Sequence, residues 1–101
     1  MGKVHLEFSG WTGDTPEVPN SSGKFAIEVE VDDARTVHDM FEKLALNYPH
    51  LVGSIYEMKS RVTNERINIF LNGEFILPAE IQNRKLKDGD ILTFLPVLAG
   101  G

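Results

Sequence analysis

Cysteine is absent from the 101-residue sequence. Its absence excludes disulfides, thiolate-bound zinc, iron–sulfur clusters and any cysteine nucleophile. A chain without disulfides fits a cytoplasmic setting. Basic residues are scarce, with 10 Lys and Arg against 15 Asp and Glu, a net charge of -5. Nucleic-acid binding calls for a basic stripe, so nucleic acid is not an expected partner. Anionic membrane surfaces are disfavoured on the same ground. No apolar run approaches the ~20 residues of a membrane span. The opening residues lack the apolar stretch of a signal peptide. Leu6 stands where a myristoylation pattern needs Ser or Thr. No nucleophile elbow or phosphate-binding loop occurs.

Histidine is also sparse. His5, His38 and His50 fall on a strand, a helix and a loop, at no spacing that suits a metal, and read as ordinary surface residues. No metal site is expected. The carboxylates are scattered: Glu28 and Glu30 read as the solvated face of a strand, Asp32 and Asp33 as a turn. Arg84, Lys85 and Lys87 form a short basic run, read as a solvated loop or a contact to an acidic partner.

What is present is patterned. The 42% hydrophobic and 25% charged fractions are those of an ordinary globular protein, and the length fits one domain over 1–101. Val4, Leu6 and Phe8 alternate with polar residues, which predicts a half-buried strand. A polar, glycine- and proline-bearing loop over 9–23 follows, with Trp11 inside it. Phe25, Ile27, Val29 and Val31 alternate again, and the two strands are expected to pair as a hairpin. Val37, Met40, Phe41, Leu44 and Tyr48 recur at spacings of three and four, the stripe of an amphipathic helix. Thr36 is its expected cap, Asp39 lies in its first turn, and Pro49 is expected to end it. Leu51, Val52 and Ile55 suit one more short helical turn. The segment 58–66 reads as a loop.

Ile67, Ile69 and Leu71 predict a third strand, and Asn72-Gly73 a type I′ turn into a short returning strand at Phe75 and Ile76. A connection over 78–87 contains Leu86 as a core anchor. A turn over 87–90 leads to a final strand over 91–95. Pro96 then begins a tail over 96–101, read as flexible. One helix on one face of a mixed sheet of four to five strands is an α+β domain.

Two features bear on function. If Ile69, Leu71, Leu92 and Phe94 face the core, then Phe70, Ile91 and Leu95 face outward. If those strands are neighbours, they make an apolar patch beside the tail, of the kind that meets partners. The sequence closes on Gly100-Gly101. Glycine lacks a Cβ, so such a backbone enters a channel too narrow for other residues. The six residues 96–101 would reach about 20 Å. Composition alone leaves two readings open, a frayed end and a presented one.

The stretch 86–101 runs Leu86, Asp88-Gly89-Asp90, the apolar strand 91–95, Pro96 and Gly100-Gly101. It resembles the C-terminal signature of the MoaD/ThiS sulfur-carrier family. Ile67 to Gly73 resembles the preceding strand of that family. The resemblance implies a β-grasp, ubiquitin-like fold. It implies that Gly101 is adenylated by an ATP-using enzyme of the ubiquitin-activating type. A sulfur donor would then convert it to a thiocarboxylate that serves cofactor or metabolite biosynthesis, molybdenum cofactor among them. No cofactor is expected on the chain itself, and ATP would be used by the activating enzyme. Gly100, Ala99 and Leu98 would thread the partner's channel. Leu95 matches a family position that contacts partners, and the outward patch read from the strands extends that contact to Phe70 and Ile91, with Pro96 beside it. The carrier supplies no catalytic side chain of its own. Three alternatives stay open. One is the small subunit of molybdopterin synthase, seated on a larger synthase subunit. Another is a protein modifier joined through Gly101 to lysines. The last is an interaction domain whose terminal glycines are incidental.

Overall fold

Residues 2–9, 24–31 and 35–96 are described by the computed structural model. The alternation read at the start of the chain is a strand, β1 (Gly2–Ser9), with Val4, Leu6 and Phe8 fully buried. It pairs antiparallel with β2 (Lys24–Val31) along its whole length, as the hairpin reading expected. The loop over 10–23, Trp11 included, lies outside the described residues.

Helix α1 (Val37–Leu44) buries Val37, Met40, Phe41 and Leu44. Thr36 caps it as expected: its Oγ1 accepts from the Asp39 N–H at 3.2 Å, and its own N–H donates to Asp39 Oδ2 at 3.1 Å. The Thr36 backbone N–H holds the Asp39 acid below the ordinary carboxylate range. A lowered acid stabilises the fold above its ordinary pKa and loses that contribution as the pH falls through its folded value. Thr36→Ala is expected to cost about 1 kcal/mol in urea unfolding at neutral pH.

The helix ends before Pro49, not at it. Its last residue is Leu44, and Tyr48 starts a second short helix, α2 (Pro49–Gly53). Proline fits the first turn of a helix, where its missing N–H costs nothing, so Pro49 opens α2. The 58–66 stretch is likewise more than a loop. A two-stranded ribbon forms between β3 (Tyr56–Glu57) and β4 (Val62–Thr63), with Arg61 turning at φ 59°. Two-residue strands are too short to show alternation.

β5 (Ile67–Leu71) and β6 (Glu74–Ile76) form the expected hairpin. The connection after it holds a 3₁₀ turn (Pro78–Glu80) and seats Ile81 and Leu86 in the core. The last strand, β7 (Ile91–Pro96), enters the middle of the sheet, parallel to β1 and antiparallel to β5. The order is β2-β1-β7-β5-β6. This is the mixed five-stranded sheet with one main helix that the sequence suggested. Pro96 is a correction: it belongs to the strand and pairs with Ile67. Proline is tolerated at a strand terminus because one missing ladder donor there is cheap.

One face of the sheet and the helices enclose an aromatic seam. Phe8 stacks on Phe25 and Phe94, with ring centres 4.5 and 4.7 Å apart. Phe94 approaches Phe41 at 6.1 Å, and Phe41 stacks on Tyr56 at 5.0 Å. His38 departs from its reading as a surface residue. Its side chain is only 14% exposed, and its Nδ1 is 2.7 Å from the Tyr56 hydroxyl. Tyr56 is itself buried, which raises its pKa. Among the described residues, no helix is long and apolar enough to cross a membrane.

Candidate functional site

The site is built on β7. The strand's pleat sends Leu92 and Phe94 into the core, fully buried. Ile91, Thr93 and Leu95 therefore emerge on the other face of the sheet. β5 is its neighbour, as the patch reading required, with Asn68 beside Leu95 and Phe70 beside Thr93. The patch of Phe70, Ile91 and Leu95 exists.

It is also larger than expected. Asn72 and Gly73 both take positive φ, 52° and 84°, the signature of a type I′ turn. A two-residue turn fixes the register, so Phe70 stands opposite Phe75. Their rings meet edge to face, with centres 5.7 Å apart. Phe75 is 46% exposed, Leu77 56% and Ile91 38%, whereas Phe70 and Leu95 are half-buried. Phe75 joins this face beside Phe70, an addition that the strand alternation alone did not make. For Phe75 the signal was available, because the Asn-Gly turn dictates its partner.

Where β7 begins, a turn with a buried carboxylate ties that strand to β5 and β1. Asp90 is 5% exposed. Its Oδ1 accepts from the Asn72 amide at 3.0 Å and its Oδ2 from the Lys87 N–H at 2.9 Å. The Asn72 Oδ1 accepts from the Ile91 N–H at 2.9 Å, and the Asn72 N–H donates to the Ile91 carbonyl at 2.7 Å. On the other side, the His5 N–H donates to the Asp90 carbonyl at 2.9 Å and the Gly89 N–H to the Lys3 carbonyl at 2.9 Å. Lys3 N–H in turn donates to Asp88 Oδ1 at 2.9 Å. Gly89 sits at φ +88°, a conformation that a side chain disfavours. The Asp-Gly-Asp turn thus fixes the start of β7 against both neighbours, and with it the direction of the whole strand. Asp90→Ala strips the Asn72 amide and the Lys87 N–H of their acceptor. It is expected to cost about 1–3 kcal/mol, read as a lower urea midpoint at unchanged slope.

At its other end β7 leads to the segment 97–101. Leu98, Ala99, Gly100 and Gly101 lie outside the described residues. Pro96, half-buried, closes the strand beside Ile67. Ile91, Leu95 and the exit toward the glycines therefore share one strand. Within the basic run, Arg84 reaches Glu74 at 3.6 Å and Glu80 at 3.4 Å, while Lys85 and Lys87 are exposed. Beyond β7, the outer face continues over β1 and β2 with Lys3, His5, Glu7, Glu28 and Glu30 exposed or half-buried.

Comparison with known proteins agrees with this geometry. The family model described as the ThiS family matches residues 18–101. Small archaeal modifier protein 3 of Haloferax volcanii is 30% identical over 79 residues, 78% of this chain and 84% of the relative. The crystal structure of SAMP1 from Haloferax volcanii superposes with a TM-score of 0.69 at 25% identity, covering 99% of this chain and all of that one. A chain of the Amycolatopsis orientalis BexX/CysO complex superposes with a TM-score of 0.61 at 22% identity, covering 97% and 99% of the two chains. At that identity the likeness speaks for the fold alone. With a family match that spans β2 through β7 and an archaeal modifier related along most of its length, this chain belongs to the ThiS family, the ubiquitin-like β-grasp proteins that include sulfur carriers and small modifiers.

Proposed function

We propose that this chain is a sulfur carrier that works through the Gly101 carboxylate. The observation that supports it best is the geometry of β7, which joins an exposed apolar face to the segment bearing Gly100-Gly101. In this reading an activating enzyme of the ubiquitin-activating type docks on Phe70, Ile91, Leu95 and Pro96. The slim run Leu98, Ala99 and Gly100 threads toward its nucleotide site. A Gly101 carboxylate oxygen attacks the α-phosphorus of ATP, and pyrophosphate leaves. A free carboxylate is a poor electrophile, whereas the acyl-adenylate carries AMP as a good leaving group. Hydrosulfide, or a donor equivalent to it, attacks the carbonyl carbon and AMP departs with the original oxygen. Loss of the thiol proton leaves a thiocarboxylate, ready for transfer to a biosynthetic acceptor. The chain needs no acid, base or nucleophile for this, because the enzyme supplies them.

Intact-mass measurement tests the proposal. The Gly101-terminated chain is incubated with ATP, its activating enzyme and a sulfide source. Exchange of one terminal oxygen for sulfur is expected. A chain that stays unmodified while the enzyme activates another carrier would sink the idea.

A second reading is favoured by one finding, the kinship with a protein named a small archaeal modifier. There Gly101 would form an isopeptide bond with target lysines, and covalent adducts would appear in the same mass spectra. Copurification with a larger subunit would instead place the chain in a molybdopterin synthase.

A further inference from the structure

The Asn72-Gly73 turn carries a chemistry that the docking face does not use. An asparagine amide is most open to attack by the next main-chain nitrogen when that residue is glycine, which has no Cβ to crowd the approach. Here the nucleophile is unengaged. Gly73 stands at φ +84° with nothing within 4 Å of where a Cβ would sit, and among the described residues no acceptor holds its N–H. Asn72 and Gly73 are both exposed, so water reaches them. The electrophile, in contrast, is held. Asn72 Nδ2 donates to Asp90 Oδ1 at 3.0 Å, and Asn72 Oδ1 accepts from the Ile91 N–H at 2.9 Å. Both polar atoms of the amide are thus tied to the start of β7.

We propose that Asn72 is a deamidation site, and that its seat on Asp90 and Ile91 holds the reaction off while the chain is folded. The Gly73 nitrogen gives its proton to water and attacks Asn72 Cγ. A C–N bond forms, and Nδ2 leaves as ammonia after taking a proton from water. The product is a five-membered succinimide, which water opens at either carbonyl. One opening leaves an aspartate; the other leaves a β-linked aspartate, whose main chain is one carbon longer. Ring closure loses an ammonia and ring opening adds a water, with no oxidant or reductant. In the folded chain the departing nitrogen is the one bonded to Asp90, so that bond must break first. The product does not fit the seat. An oxygen replaces Nδ2, so an acceptor faces the buried Asp90 carboxylate where a donor is needed. The β-linked form lengthens the turn that sets Phe70 opposite Phe75, and with it the register of the hairpin. A chain that opens long enough to react therefore refolds poorly.

The test ages the full chain in mildly alkaline buffer, folded and unfolded in guanidinium, and follows the peptide spanning 67–84 by mass spectrometry. Conversion at Asn72 to aspartate and β-linked aspartate is expected to run roughly tenfold faster or more in the unfolded chain, the factor that even a modest opening free energy supplies. Asn68 on the same peptide, followed by the branched Ile69, should stay intact. Asp90→Ala, which releases the Asn72 amide, should speed conversion in the folded chain beyond Thr36→Ala, a destabilising change at the helix cap. Asn72→Asp imitates the plain product and should lower the urea midpoint. Adding Asp90→Asn reverses donor and acceptor across the pair and should restore much of the loss. An unfolded chain that keeps its Asn72 amide refutes the site. Equal rates in the folded and unfolded chain, or an Asp90→Ala rate no higher than that of Thr36→Ala, refute the guard. A midpoint untouched by Asn72→Asp, or unmoved by the added swap, refutes the misfit of the product.

Discussion

Removal of Gly101 is expected to abolish ATP-dependent activation while leaving the unfolding midpoint where it was. The chemistry proposed here involves one carboxyl group. Deleting one residue draws that group back by about 3.5 Å along an extended backbone. A displacement of 1 Å from the reactive geometry can already cost about 10²-fold, so at least that loss is expected in pyrophosphate exchange. Gly101→Ala tests a different quantity. It keeps the carboxylate in place but adds a Cβ, and its effect measures how narrow the partner's channel is. The described sheet ends at Pro96, five residues earlier, and neither change alters a residue of the described core. Undiminished exchange after deletion would end both the carrier and the modifier readings.

The second large effect lies in the core. Phe94 is fully buried on β7, stacked on Phe8 and close to Phe41. Phe94→Ala is expected to cost about 3–5 kcal/mol, through lost transfer energy and the cavity left between β1 and α1. Domains of this size hold only about 5–15 kcal/mol in all. The variant would then be partly unfolded at moderate temperature, which urea titration followed by circular dichroism would reveal. Phe94→Leu keeps more of the volume and should lose less. Because Phe94 sits between Thr93 and Leu95, the same change should loosen the outer face and weaken docking as well. A cost below about 1 kcal/mol would mean that the aromatic seam closes around the gap.

Much of this arrangement is written in local signals. β1, β2 and α1 each carry a long period, and the Asn72-Gly73 turn announces its own geometry. Those elements read correctly because burial of one face imposes the pattern directly. The face formed by Phe70, Ile91 and Leu95 followed from the same alternation once β5 and β7 were taken as neighbours. What escaped lacks periodicity or depends on distant partners. The β3–β4 ribbon has too few residues to alternate. Pro49 carries two meanings, the end of one helix and the start of another, and only the packing of Leu51 and Val52 decides between them. Asp90 read as a turn residue because charged side chains are seldom buried. Its burial depends on Asn72, 18 residues earlier, whose amide turns inward to meet it. His38 was misjudged for the same reason, since Tyr56 is the group that takes it out of water.

The parallel pairing of β1 with β7 has a consequence for the order of events in the cell. His5 lies beside Ile91, and Phe8 beside Phe94. The sheet's centre is thus filled by a strand that emerges from synthesis after all the other strands of the sheet. Contacts this distant in sequence slow folding, because a long loop must close before they form. Until β7 is in place, β1 and β5 have open edges, and the face carrying Ile91 and Leu95 does not exist. If this face is where a partner docks, as proposed above, recognition is also a proof of maturity: the surface can be assembled only by a chain that has finished folding.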